Sequence, residues 1–410
     1  PMTERISIIF VDDDPNVLNG LRRRMITKRP NWTIAFCGSA KDALDKLDQQ
    51  PADVVISDMR MPVMDGAEFL RIVAKRFPQT SRILLSGYAD EAAIQNSAAA
   101  THHFLAKPCT DTDIIHAVER GLILQAYLRD PQLLDLLHRM PDDQIWPPVF
   151  HRLHLILQFR GPHSHTELAD FANDQPGLTA LARELARREG LIAQNASIDF
   201  IDLVDMLGFE STKALCILWI EMGAPNGLAI NQIDVKLHRP LILGQIAADI
   251  ARQQNHPSEF IDYVRAAALL CHIGENIFAR IQPDLYASSR ETADRDTCDI
   301  VSAEIAEIGI AHPAVSACLC ALWGFRHEIV ENIAFHHRPE SAPTHHSESL
   351  LMVYAAQHFA RKIGTDGAVR AMKYDLATGF IHKCQAEAIW PQWEQMCLER
   401  HLPQERIAAR

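Results

Sequence analysis

Short, nearly continuous apolar runs alternate with amphipathic stretches over the first 125 residues, and beyond them the alternation stops. The runs IIFV (8–11), WTIAFC (32–37), DVVIS (53–57), RILLS (82–86) and HFLA (103–106) have the length and β-branched content of strands covered on both faces. Between and after them, 15–28, 39–49, 65–76, 90–99 and 111–128 carry apolar residues at helical spacing. Strand–helix alternation of this kind predicts a doubly wound, five-stranded parallel sheet with helices on both faces. In such sheets functional groups collect beyond the carboxyl ends of the strands.

From Asp111 onward the periodicity is helical throughout. Asp130-Pro131 interrupts it, a short helix over 131–139 follows, and Pro141, Pro147 and Pro148 mark a boundary. Helices are then expected over 149–158, 165–172, 176–189, 199–207, 211–222, 240–254, 258–271, 298–308, 313–322, 326–336, 347–363 and 383–400. No fixed-period repeat is present. The expected organisation is an α/β domain over 1–125, a helical linker over 126–145, an all-α domain over 146–363 and a helical extension over 364–410. From Leu122 the apolar stripe outruns what the α/β domain needs, so it either docks the two domains or forms a homodimer seam.

Composition narrows the function classes. The chain has 410 residues, 48% of them hydrophobic, enough for sizeable cores. No apolar run approaches a membrane-spanning length, and the first residues lack a leader pattern. Nine scattered cysteines form no CxxC pair and read as reduced, mostly buried thiols, so a cytoplasmic location is expected. The formal net charge is −12, of which −1 falls in residues 1–125 and −11 in the rest. An acidic helical half argues against a nucleic-acid partner, because binding a phosphate backbone requires neutralising it. The one basic knot, Arg22-Arg23-Arg24 with Lys28 and Arg29, reads as a solvated helix face.

The chemistry lies at the strand ends. Asp12 and Asp13 follow the first strand, Asp58 ends the third, Ser86-Gly87 ends the fourth, and Phe104 and Lys107-Pro108 lie on and after the fifth. Three converging carboxylates repel one another, and a hard divalent cation such as Mg2+ resolves the repulsion. The cation and Lys107 would then offset the charge of a phosphoryl group arriving at Asp58 as nucleophile, with Ser86 hydrogen-bonding the acyl phosphate. Phe104, three residues before Lys107, is placed to change rotamer with the loop. The rival reading is a nucleotide-binding α/β fold, but DDDPNV stands where a glycine-rich phosphate loop would follow the first strand.

Taken in order, DD, DMRMPVMDG, SG and KP make residues 6–125 resemble a response-regulator receiver domain. The resemblance implies Asp58 as phosphoryl acceptor. It implies Mg2+ held by Asp13 and the backbone carbonyl of Arg60, with Asp12 acting through water, and a cis Lys107–Pro108 bond. It also implies a histidine kinase or phosphotransfer protein as phosphoryl donor. Phe104 replaces the commoner tyrosine and keeps the aromatic rotor without its hydroxyl.

The helical half resembles the HDOD branch of the HD superfamily over roughly 146–363. The segments that carry the resemblance are PPVFHRLHLIL, TELADFANDQPGLTALARELA, SIDFIDLVDMLGF, LHRPLILGQIAADIA, AAALLCHIGENIF, IGIAHPAVSACLCALWGF and ENIAFHHRPES. A catalytic HD domain needs an adjacent His-Asp pair, and here the position reads Cys271-His272. After His336-His337 the acidic residues are absent too. The resemblance therefore implies a non-catalytic module that needs no cofactor and works by binding a downstream protein. His238, Cys271, His272, His312, His336 and His337 fall where metal ligands would lie. They read as relict packing histidines, with a soft-metal site, a residual metal-dependent phosphohydrolase and a nucleotide second-messenger sensor as alternatives. Trp219, Trp323, Trp390 and Trp393 are expected in the core. The pairs His102-His103, His345-His346 and His163 with His165 are expected at the surface. The whole reads as a phosphorylation switch with no direct DNA or membrane contact.

Overall fold

The computed structural model describes residues 6–87, 100–145, 147–158, 164–193, 196–221, 230–295, 298–343, 347–363 and 376–401. The expected helix over 90–99, His163 and the pair His345-His346 lie outside the described residues. The chain divides into two compact units, Pro1–His151 with Cys318–His327, and Arg152–Ala317 with Glu328–Arg410.

The first unit is built on five parallel strands: β1 (Ile6–Val11), β2 (Trp32–Cys37), β3 (Val54–Asp58), β4 (Ser81–Ser86) and β5 (His103–Ala106). They run in the order β2-β1-β3-β4-β5, with Phe10 beside Phe36 and Ile56, and Ser86 beside Ala106. The helices α1 (Pro15–Lys28), α2 (Ala40–Gln49), α3 (Gly66–Arg76) and α4 (Asp111–Leu128) follow β1, β2, β3 and β5. Each starts on a side chain that accepts a backbone N–H of its first turn: Asp14, Ser39, Asp65 and Thr110, the last in a reciprocal capping box with Asp113. Ile8, Phe10, Val54, Ile56, Ile83, Leu85, Ile114 and Val118 belong to the core between β-sheet and helices. Burying such side chains stabilises by about 1.5–3 kcal/mol each.

One surface expectation fails in this unit. His102 and His103 are buried, because His103 opens β5 and pairs with Ile83. The buried Arg82 guanidinium donates to His102 Nε2 and, through Nε, to Ala100 O at 2.7 Å. Burial, reinforced by Arg82, holds the His102 imidazole well below its ordinary pKa, so it stays neutral.

The second unit is helical among the described residues. Ser258–Leu270 runs through its core and carries Arg265, which is 2% exposed and grips the buried Glu189 carboxylate with two bonds of 2.7 and 2.8 Å. Asp262, on the same helix, accepts the backbone N–H groups of Glu210 and Ser211 at 3.1 and 2.7 Å, so it caps the helix Phe209–Glu221 from outside. Gly208 makes that turn possible: its φ is +90°, and a Cβ there would sit 2.2 Å from Asp262 Cγ.

Three element expectations are corrected. Ile273–Ile281 and Pro283–Arg295 are helices in a stretch where no helix was expected. Ile230–Gln253 is continuous through Pro240, where a helix was expected to begin. The expected helix over 383–400 is two, Thr378–Lys383 and Trp390–His401, with Gln385 at φ +56° between them. Trp219, Trp323, Trp390 and Trp393 are buried as expected. Among the described residues no single helix is long and apolar enough to cross a membrane.

Candidate functional site

β1 and β3 are adjacent and parallel, so the residues at their carboxyl ends share one edge of the sheet. Asp12, just after β1, is buried, Asp13 beside it is exposed, and Asp58 closes β3. Each offers a carboxylate oxygen within 4.8 Å of the others. Lys107, in the loop after β5, reaches in with Nζ 2.6 Å from Asp58 Oδ1 and 3.6 Å from Asp12 Oδ2. Its backbone N–H donates to Ser86 O at 2.8 Å, which ties the two loops together, and the Lys107–Pro108 bond is cis.

Two fixed contacts orient the carboxylates. The Asp14 N–H donates to Asp12 Oδ1 at 2.9 Å, and the Met59 N–H donates to Asp58 Oδ1 at 2.9 Å. Asp12 Oδ2 is buried and has no hydrogen-bond partner. Burial raises the Asp12 carboxyl above its usual range, opposed by the Asp14 N–H and Lys107. Burial alone would lower Lys107, but its hydrogen bond to Asp58 and the charges of Asp58 and Asp12 raise it. An all-oxygen donor set with a buried oxygen that accepts no hydrogen bond fits a hard divalent ion such as Mg2+.

The loop after β3 holds Asp58 from below. The Gly66 N–H donates to Met59 O at 2.9 Å, and a Cβ on Gly66 would stand 2.1 Å from Asp58 O, so only glycine fits. Arg60, whose carbonyl the resemblance to receiver domains assigns to the cation, lies in this loop and is exposed. Ser86 is buried at the end of β4, and its hydroxyl donates to Gly87 O at 3.2 Å. Phe104 is buried on β5, its ring centroid 4.9 Å from that of His151.

A second cluster lies in the helical unit. His272, His312, His336 and His337 each bring a ring nitrogen within 4.8 Å of the others. Cys271 and His238 do not belong to this group. The Cys271 thiol donates to Ala268 O at 3.2 Å and accepts from Gln357 Nε2 at 2.8 Å, and burial pushes it up to about 12. His238 is half-buried on the helix Ile230–Gln253. Burial, aided by Arg239, pushes His272 down to about 3, and burial likewise holds His336 and His337 well below the usual range.

Sequence reasoning passed over the polar residues that support these imidazoles. Glu304 takes His312 Nδ1 at 2.8 Å, and Gln357 Oε1 lies 2.8 Å from His272 Nε2. Glu275 lies 2.9 Å from His272 Nδ1 and receives two bonds of 3.1 Å from Arg239. Burial would raise the Glu275 carboxyl, but Arg239 and then His272 hold it well below its ordinary value. Only Glu275 left a signal in the sequence: it falls three residues after His272, one helical turn on.

Comparison with known proteins follows the same division. The response regulator receiver domain model matches residues 8–119, and the HDOD domain model matches residues 203–339. The chain carries a receiver domain of the response-regulator kind and an HDOD domain. Among curated relatives, it is 31% identical over 135 residues to the hydrogenase transcriptional regulatory protein HoxA of Cupriavidus necator, covering 32% of this chain and 27% of that protein. The chain thus spans about a quarter of that relative's length. Among solved structures, the signal receiver domain of an HD domain-containing protein from Pseudomonas fluorescens is 28% identical, covering 32% of this chain and 96% of that one, with a TM-score of 0.30. A putative phosphohydrolase from Shewanella amazonensis is 18% identical, covering 66% of this chain and 94% of that one, with a TM-score of 0.47.

Proposed function

We propose that this response regulator takes a phosphoryl group onto Asp58 from a histidine kinase or phosphotransfer protein, and that the new charge switches protein binding by its HDOD module. The observation that carries this reading is Lys107 Nζ, 2.6 Å from Asp58 Oδ1 in a pocket with two further carboxylates. An Asp58 oxygen attacks phosphorus, the bond from phosphorus to the donor breaks, and an acyl phosphate forms. Mg2+, held by Asp12, Asp13, Asp58 and the Arg60 carbonyl, would neutralise phosphoryl oxygens during transfer. Lys107 gives up its contact with the free carboxylate and pairs with the phosphoryl group, and the Ser86 hydroxyl donates to another of its oxygens. Because the Lys107 N–H holds Ser86 O, the two loops move together.

The helical module acts by binding rather than hydrolysis in this reading. Its dyad position offers a buried thiol already engaged by Ala268 and Gln357 and an imidazole, and the carboxylate that would bridge two metal ions does not stand there. Its acidic balance disfavours DNA, and the reduced cysteines fit a cytoplasmic protein. Hydrogen exchange of the full chain with Mg2+, with and without beryllofluoride, tests the switch. Altered protection in peptides from 203–339 is the expected result. Changes confined to residues 8–119 would overturn the switching.

A further inference from the structure

We propose that Phe104, His151, Phe150 and Trp323 form an aromatic relay that carries movement of β5, set off by charge at Asp58, into the helix His312–Leu322 of the HDOD module. The relay rests on Asp58 as phosphoryl acceptor and supplies the route by which its new charge is transmitted. It starts at the pocket. Phe104 lies on β5 three residues before Lys107, whose backbone N–H holds Ser86 O, and Ser86 stands beside Ala106 across β4 and β5. Lys107 and Ser86 closing on a phosphoryl group therefore displace the end of β5. Phe104 and His151 are both buried, with ring centroids 4.9 Å apart and planes at 59°. Protein interiors are close-packed, so a shift of the Phe104 ring has to be taken up at His151.

The next contacts lie one residue along. Phe150 precedes His151 on the helix Pro148–Gln158 and is buried. Its ring centroid is 6.1 Å from that of Trp323 and 6.4 Å from that of Phe325, spacings that aromatic pairs favour. Trp323 is buried as well, and its Nε1–H donates to Ile145 O at 2.7 Å. The end of the helix His312–Leu322 holds both aromatics as one piece. Gly324 has a φ of +71° and donates its N–H to Ala321 O at 3.2 Å, while the Phe325 N–H donates to Cys320 O at 3.0 Å. That is the Schellman arrangement, with an apolar residue following the glycine.

All of these contacts fall inside the unit built on the five strands, because that unit takes in Cys318–His327. The same residues belong to the stretch 203–339 that the HDOD model matches. The helix His312–Leu322 thus gives its last turn to the strand-bearing unit and its earlier turns to the helical one. Seven residues before Trp323, Ser316 Oγ donates to Cys271 O at 3.0 Å and accepts the Gly274 N–H at 2.9 Å. The helix lies close there, since a Cβ on Gly274 would stand 2.5 Å from His312 O. A shift of its end at Trp323 is therefore felt at the joint Cys271–Gly274. Contiguous packed side chains leading to a rigid helix are the physical means by which such coupling travels.

The test reads both ends of the relay at once, by fluorine NMR of the full chain labelled with 5-fluorotryptophan and titrated with beryllofluoride in Mg2+. Bound beryllofluoride gives its own resonance, which Asp58→Ala should abolish. The Trp323 resonance is assigned by its loss in Trp323→Phe. In the wild type it should shift as beryllofluoride binds. His151→Ala, which removes the ring beside Phe104, should still bind beryllofluoride yet lose at least half of that shift. Phe150→Leu, which keeps apolar bulk but not the ring, should do the same and serves should His151→Ala not fold. Bound beryllofluoride with an unmoved Trp323 in the wild type, or a full shift in both variants, would overturn the relay while leaving Asp58 as acceptor. Absence of any bound beryllofluoride would sink the acceptor reading and the relay with it.

Discussion

Replacing Asp12 by Asn should stabilise the receiver when Mg2+ is withheld. Asp12 has carboxylate oxygens of both Asp13 and Asp58 within 4.8 Å. At an effective dielectric of about 20, each such pair repels by about 3.5 kcal/mol or more. Lys107 Nζ, at 3.6 Å, attracts Asp12. On the same scale that attraction is about 4.6 kcal/mol, which offsets somewhat more than one of the two repulsions. Asp12 is 4% exposed, so its charge also carries a desolvation cost. Asp13 is exposed, and solvent screens its share. The remainder is about 1–3 kcal/mol in favour of Asp12→Asn. Asn keeps the acceptor for the Asp14 N–H and puts an N–H donor in place of Oδ2, which accepts no hydrogen bond. Hydrogen exchange of β1 and β3 amides reads this unit separately from the helical one. A gain of 2 kcal/mol slows exchange through global opening about 30-fold. Saturating Mg2+ should then close or reverse the gap, since 100-fold excess over Kd adds about 2.7 kcal/mol to the wild type and less to the variant. Weaker protection of Asp12→Asn without Mg2+, or equal protection of both proteins by Mg2+, would refute the reasoning.

Gly66→Ala should destabilise the receiver by about 3 kcal/mol and slow phosphorylation, because the new Cβ would press on Asp58 O from 2.1 Å and on Leu84 from 2.9 Å; denaturant unfolding and phosphorylation rates check both. Burial keeps His102 and His151 neutral in the fold, His151 down to about 4. Below about pH 6.5 the unfolded chain therefore takes up protons that the fold refuses. Stability is intact above that pH and falls as pH drops, by up to about 1.4 kcal/mol per pH unit for each histidine. His151→Leu should flatten this acid limb, and an unchanged slope would contradict it.

The receiver was legible because each of its parts has a local cause. Both-face burial writes strands as apolar runs, caps such as Ser39 and Asp65 mark helix starts, and the pocket residues follow strand ends directly. His102 and His103 were placed at the surface because adjacent polar residues read as exposed, whereas His102 is buried against Arg82, twenty residues away, and His103 pairs with Ile83 inside the sheet. The helical module was legible as helices and less so in its joints. Ile230–Gln253 runs through a proline that read as a start, and the break at Gln385 depends on a backbone conformation that glutamine does not announce. The histidine positions were visible in the sequence. Their support by Glu304 and Gln357 was not, since these residues meet them only through tertiary packing.

The central claim is that Asp58 accepts the phosphoryl group, and intact-mass spectrometry of the full chain treated with an acyl-phosphate donor and Mg2+ tests it most directly. The wild type should gain a single phosphate adduct that requires Mg2+, and Asp58→Ala should gain none. An adduct of equal yield on Asp58→Ala would contradict the account.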